Sequence, residues 1–148
     1  MNPIDSVKEK FKDKIVKFHE KSPRRYYIDI RKEDLLDFVE YIFNELHARY
    51  MILSGVDNPP DHIEVLYHFS FDNIGKVVTL RVTLDRENPE VESISPIVTG
   101  AQWIEREVQD ILGVKFLNHP DPRRFILPDD WPEGKYPLRK DYKVGQDE

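Results

Sequence analysis

Apolar residues recur at helical spacing in the first third of the chain and alternate with polar ones in the middle. Ile4, Val7, Phe11, Ile15 and Phe18 fall every three or four positions with lysines between them, which predicts one amphipathic helix stopped by Ser22-Pro23. Tyr26-Tyr27-Ile28-Asp29-Ile30 is a short β-prone run. Leu35, Leu36, Phe38, Val39, Ile42, Phe43 and Leu46 predict a second helix with a broad apolar face. Glu33 and Asp34 sit at its positive N-terminal end, where carboxylates are favoured. The period then switches to two. Residues 49–56 read as a strand ending at the breaker Asp57-Asn58-Pro59-Pro60. Ile63, Val65, Tyr67, Phe69 and Phe71 alternate with Glu64, Leu66, His68 and Ser70, and Val78, Leu80, Val82 and Leu84 alternate with Val77, Thr79, Arg81 and Thr83. Two half-buried strands joined by the turn Asp72-Asn73-Ile74-Gly75 follow from that pattern. Residues 91–98 add a short strand or an extended approach.

Thr99-Gly100-Ala101-Gln102 reads as a capping box opening a helix over 100–112, with Gly113 as its C-terminal cap. Periodicity stops there. Residues 114–148 hold five of the eleven prolines, yet also Phe116, Phe125, Trp131, Tyr136 and Tyr142, whereas disordered tails are poor in aromatics. The segment is therefore expected to be an ordered, extended arm that lies on its own domain, on a partner, or on both. The organisation expected is an α+β chain. Residues 1–113 form an α/β domain with a mostly antiparallel sheet and two to three helices, and 114–148 form an extended proline-rich docking arm.

At 148 residues the chain is long enough to bury a core without staples. It has no cysteine, which excludes disulfides, cysteine-ligated iron–sulfur or zinc sites and thiol catalysis within it. It holds no apolar run of transmembrane length, and Met1-Asn2-Pro3-Ile4-Asp5 lacks the layout of a signal peptide. The net charge of −6 argues against nucleic-acid binding. Charge is uneven: +5 over residues 1–32, −9 over 33–92 and −2 over 93–148, which reads as a set of solvated faces.

Candidate chemistry is sparse. His19, His47, His62, His68 and His119 form no ligand pair, and His62 and His68 share strand parity at roughly 20 Å separation. No glycine-rich phosphate loop occurs. Glu105, Arg106, Glu107 and Asp110 crowd one short helix. Glu107 and Asp110, three apart, are read as ionic partners for Arg123 and Arg124 of the arm. The alternative is a small acid–base enzyme built on Glu107, Asp110 and Arg123. A third reading is a free-standing adaptor that binds a peptide or anion through the arm.

Glu105-Arg106-Glu107-x-x-Asp110-x-x-Gly113-x-x-Phe116-x-x-His119-Pro120-x-x-Arg123-Arg124 resembles the signature of the 30 kDa subunit family of NADH-quinone oxidoreductase (respiratory complex I), which includes the related subunit of membrane-bound hydrogenases. Leu127-Pro128-x-x-Trp131 and Pro137-Leu138-Arg139-Lys140-Asp141-Tyr142 resemble that family's second block, and Gly100-Ala101-x-Trp103 fits its lead-in. Two departures stand out: Phe125 where a branched aliphatic residue is usual, and a longer spacer from Trp131 to Pro137.

The resemblance implies a non-catalytic subunit with no cofactor of its own, peripheral on the cytoplasmic face of the cell membrane. It would scaffold a large hydrogenase-like or 49 kDa-type subunit beside the iron–sulfur small subunit and touch the membrane arm only indirectly. Iron–sulfur clusters, nickel–iron, flavin or quinone would belong to partner subunits, and the complex would couple electron transfer to ion translocation. A compact archaeal or bacterial complex is implied by the short chain. The interface expected comprises the motif residues above, with ionic contacts from Arg123, Arg124, Arg139, Lys140 and Asp141. Buried anchors would come from Phe116, Leu127, Trp131, Leu138 and Tyr142.

Overall fold

The alternating runs become the central strands of a five-stranded sheet. The computed structural model describes residues 2–144, so the last four residues of the expected arm lie outside the described residues. Strands β1 (Ile15–Ser22), β2 (Arg25–Ile30), β3 (Arg49–Asn58), β4 (His62–Phe71) and β5 (Lys76–Asp85) lie in the order β1-β2-β5-β4-β3. Only β2 and β5 run parallel; the other neighbours are antiparallel. Register places Ile63 opposite Leu84, Val65 opposite Val82 and Tyr67 opposite Leu80, then Leu80 beside Ile28. All of these are buried, so one face of the sheet is continuous core.

Helices α1 (Pro3–Lys10), α2 (Leu35–Glu40) and α3 (Ala101–Leu112) cover that face. A 3₁₀ turn (Lys32–Asp34) leads into α2 and a π turn (Tyr41–Glu45) extends it. The Phe11 ring stacks on Phe38 at 4.0 Å and meets Tyr41 edge-on at 5.6 Å, which ties the end of α1 to α2. The opposite face carries Tyr27, Asp29, Arg81, His68 and Ser54 and is only half buried. Two short parallel strands, β6 (Glu90–Glu92) and β7 (Lys115–Leu117), bring the chain leaving α3 beside the chain approaching it and bury Val91 and Phe116.

The mixed α+β architecture with a mostly antiparallel sheet is the one expected, but two local readings change. The first apolar stripe is not one helix: α1 ends at Lys10, and 15–22 is edge strand β1. Spacings of three and four place Ile15 and Phe18 inward in either conformation. Register shifts at Ile15/Lys17 and Glu20/Ser22 erase the period of two that would have betrayed a strand. Ser22-Pro23 is a hairpin connection, with Ser22 paired to Arg25, rather than a helix stop. The capping box also fails to form. Gly100 is the N-cap, with no side-chain bond. The chain already turns through residues 94–101, so the Gln102 amide finds the Thr99 carbonyl at 3.3 Å and needs no hydroxyl.

α3 lies directly on β3 at Gly55. A Cβ added there runs into Leu112 Cδ1 and sits 3.3 Å from Val108 Cγ1. Gly55→Val is expected to cost about 1–3 kcal/mol by overpacking. Urea unfolding measures it, and unchanged stability would mean that α3 can slide off β3.

Candidate functional site

The side of α3 that faces the arm carries Gln102, Glu105, Arg106, Gln109 and Asp110, three and four residues apart and hence on adjoining turns. Past Leu117 the described arm has neither helix nor strand, so its backbone polar groups must find partners elsewhere. α3 supplies them. Arg106 donates from Nε to the Arg123 carbonyl at 2.7 Å and from Nη2 to the Arg124 carbonyl at 2.8 Å. Its guanidinium also lies 5.1 Å from the centre of the Phe125 ring. Gln109 donates to the Pro122 carbonyl at 2.8 Å. Asp110 Oδ2 accepts the consecutive amides of Phe125, Ile126 and Leu127 at 2.8, 2.9 and 3.2 Å. A carboxylate gathering three amides is a strong, charge-assisted pin.

The arm returns to the far end of the helix. Gly113 caps α3 in the left-handed region at φ 78°, and the Tyr136 ring packs against its Cα. The Leu138 amide and Arg139 Nε bond the Ile111 and Leu112 carbonyls at 3.1 and 2.7 Å, satisfying helix-end acceptors with a cation placed where the helix dipole favours one. The Lys140 amide then bonds Asp57 at 2.8 Å. Asp57 is itself held by Arg86 through two bonds of 2.7 and 3.0 Å, which keep its carboxyl below the usual range. Between this loop of the arm, α3 and β7 lies a groove of about 850 Å³, lined among others by Lys115, Phe116, Arg124, Leu127 and Trp131.

Glu105 is fully buried at the centre of this seam. It accepts from Ser93 Oγ at 2.7 Å and the Ile94 amide at 3.0 Å, and lies 3.8 Å from His119 Nε2. His119 accepts the Asp121 amide on Nδ1, so Nε2 carries the proton and donates to the Gln102 carbonyl at 2.9 Å. Burial outweighs the two hydrogen bonds and pushes the Glu105 carboxyl up to about 7. It also raises the phenols of Tyr50 and Tyr67, and the buried Tyr67 hydroxyl finds no hydrogen-bond partner among the described residues.

The motif residues thus gather on α3 and the arm, with roles partly exchanged from those expected. Asp110 holds backbone amides rather than an arginine, and Arg106 does the gripping. Arg123 pairs with Asp121 through two bonds of 2.7 Å, while Arg124 donates to the Pro128 and Asp129 carbonyls. Glu107 makes no ion pair or hydrogen bond among the described residues and shares none with Asp110. Phe116 lies in the core, and Trp131 lies 6.2 Å from Tyr142 and bonds the Lys135 carbonyl. Asp141 reaches Arg86 at 3.4 Å. Pro120 sits in a bend and Pro137 in a turn closed by the Arg139 amide on the Tyr136 carbonyl at 3.1 Å. Phe125, Ile126 and Leu138 remain 46, 48 and 62% exposed, and Trp103 on α3 is 46% exposed. Asp57, Arg86 and Tyr136 are not among the interface residues expected from the sequence. Asp57 reads there only as part of a breaker, and its position near the end of β3, with Arg86 just past the same end of β5, is the one hint of a meeting. Among the described residues no group of His, Asp and Glu could hold a metal ion.

Comparison with known proteins gives one consistent picture. The family described as respiratory-chain NADH dehydrogenase, 30 Kd subunit, matches residues 28–148. The chain is 35% identical to the C subunit of F(420)H(2) dehydrogenase of Methanosarcina mazei over 142 residues, covering 95% of this chain and 89% of that one. It is 37% identical to the C subunit of NADH-quinone oxidoreductase of Chloroherpeton thalassium, covering 93% of this chain and 58% of the other. With hydrogenase-4 component G of Escherichia coli it shares 32% identity over a quarter (25%) of that longer protein. Among solved structures, a chain of the membrane-bound sulfane sulfur reductase, an archaeal respiratory membrane complex, has the same fold, with a TM-score of 0.80 at 22% identity over 95% of this chain and 84% of that one. The trypsin-resistant fragment of Nqo5 gives 0.62 at 20% identity, over 80% of this chain and 95% of the fragment.

Two outcomes follow from the seam. Asp110→Ala leaves three amides without their acceptor. It should cost about 1–3 kcal/mol and speed tryptic cleavage after Arg123 and Arg124, and unchanged cleavage would refute the pin. For Glu105 the folded-state value lies above the unfolded one of 4.5, so its contribution is fully present below about pH 4.5 and is lost as pH rises through about 7. Urea unfolding at pH 5 and pH 8 should show Glu105→Gln removing about 3 kcal/mol of that pH-dependent loss. Identical pH profiles for variant and parent would show that Glu105 ionises as freely in the folded chain as in the unfolded one.

Proposed function

The chain belongs to the 30 kDa subunit family of the respiratory-chain NADH dehydrogenase, and we propose that it serves as a peripheral, non-catalytic subunit of a membrane-associated oxidoreductase of the complex I or membrane-bound hydrogenase type. Its work is to hold the large hydrogenase-like or 49 kDa-type subunit in register beside the iron–sulfur small subunit, during electron transfer coupled to ion translocation. Clusters and other redox groups reside in those partners, since the chain has no cysteine to ligate one. Among the described residues no helix is long and apolar enough to cross a membrane, and the chain reaches the cytoplasmic face of the membrane through its partners.

One observation carries the reading: the arm is fixed by its backbone while apolar side chains point outward. α3 holds carbonyls 122–124 and amides 125–127, which leaves Phe125, Ile126 and Leu138 exposed on a rigid support. Preorganised apolar and aromatic groups bind with little ordering cost. On this reading residues 1–113 are the domain and 114–148 the docking arm, with β7 fastening the arm's start. Lys140 is the exposed cation left to meet a partner, whereas Arg123, paired with Asp121, and Arg139, Arg124 and Asp141 shape the arm itself.

The triple substitution Phe125→Ser, Ile126→Ser and Leu138→Ser should leave the thermal midpoint of the isolated chain within a few degrees, because those side chains are about half exposed and lie outside the core. It should cut co-purification with the large subunit from gently solubilised membranes by about tenfold or more. Full assembly of the triple variant would sink the docking reading.

A further inference from the structure

The face of the sheet that no helix covers has a charge opposite to the protein as a whole. Register puts Lys17 and Arg25 on this face with Arg81, Lys21 reaches it over the Tyr27 ring, and none of Lys17, Lys21 and Arg25 makes an ion pair among the described residues. Two of these four cations, Lys21 and Arg81, flank one aromatic. Tyr27 has Lys21 Nζ at 5.9 Å and Arg81 Cζ at 5.7 Å from its ring centre, and the His19 ring at 6.4 Å. Of the acids of the face, Asp85 lies at the far end of β5 opposite His62, and Asp29 and Glu64 stand beside basic groups. Asp29 takes two bonds from Arg81 at 2.7 and 3.3 Å, and Glu64 lies 3.6 Å from His62. Towards β3 the face is closed by a chain of short polar contacts, Ser54 Oγ to His68 Nε2 at 3.2 Å and His68 Nδ1 to Thr79 Oγ1 at 2.8 Å. The free cations are therefore concentrated on the β1–β2 side, at the opposite edge of the sheet from the strand that α3 and the arm occupy.

We propose that this cationic, Tyr27-centred face is a second docking surface and that it receives an acidic segment of a partner protein. A second copy of this chain is disfavoured because it would set cation against cation. Three free cations interspersed with Asp29 and Glu64 are fewer than the four to eight basic residues typical of an anionic-lipid patch. Tyr27 supplies a rigid amphipathic contact at the centre, as interface anchors do. The inference rests on the chain being a subunit, but not on the arm being the element that docks it.

The test is zero-length carbodiimide coupling of the complex purified from membranes, which joins an amine to a carboxylate only where the two touch. Lys17 and Lys21 should be recovered coupled to Asp or Glu of another chain, and their acetylation should be about tenfold slower in the complex than in the isolated chain, with exposed Lys12 unchanged. Lys17 and Lys21 recovered without a partner carboxylate overturn the proposal. If in addition the isolated chain sediments with vesicles of seven parts phosphatidylcholine to three parts phosphatidylglycerol, and Lys17→Gln/Lys21→Gln abolishes it, the face belongs to a membrane instead. Should the chain purify without partners, which is failure of the subunit reading itself, an alternating Glu–Thr octapeptide titrated at low salt decides. Amide shifts confined to β1, β2 and β5 support an acidic-segment site, and no shift or shifts on the arm overturn it.

Discussion

An extended chain with no helix or ladder of its own must borrow partners for every buried backbone group, and that constraint organises the C-terminal half of this protein. α3 is the lender. Its side chains bond carbonyls 122, 123 and 124 and amides 125, 126 and 127, and its last carbonyls receive the Leu138 amide and Arg139. Because the bonds go to backbone, the arm's own side chains are left to do something else. The same logic explains Gly113: the helix must stop in a left-handed turn, and a bare Cα lets Tyr136 close over it.

α3 can do this only because its other side is anchored. Val108 and Leu112 pack on β3 at Gly55, where the missing side chain lets helix and strand approach. Glu105 then sits between the helix, the 93–95 turn and His119, fully buried. A buried carboxyl there is costly when charged and useful when hydrogen-bonded, so the seam is specific but sensitive to protonation. The phenols of Tyr50 and Tyr67 lie close enough to Glu105 to feel its charge, and the Tyr67 hydroxyl has no partner among the described residues.

The sheet was legible because β4 and β5 alternate without interruption, and their turn and parity follow directly from sequence. Gly113 was legible because a lone glycine after a helical stretch has one common use. The 11–22 region was not, since bulges in β1 remove its period, and helix and strand both place Ile15 and Phe18 inward. For the site, the residues were legible and their roles were not. Charge complementarity in one dimension suggests that acids bind arginines. In three dimensions the scarcer resource is a partner for irregular backbone, and Asp110 and Arg106 go there. Asp57 was hidden for a related reason: it lies 83 positions from Lys140 along the chain, and no local pattern announces that meeting.

The segmental charge noted along the sequence gains a meaning from topology. Strand order sends the N-terminal hairpin to one edge of the sheet and the arm to the other, so the +5 segment and the proposed docking arm cannot serve one small partner together. A chain that merely needed solubility would gain nothing from separating them, because dispersed charge solvates equally well. Separation is useful to a chain that sits between two neighbours of different character, one met by preorganised apolar groups on α3 and the arm, the other by cations around Tyr27. The lysines of β1 serve a second end as well: an edge strand of eight residues lined with cations resists pairing with its own copy, and opposite charge on a neighbour removes that resistance.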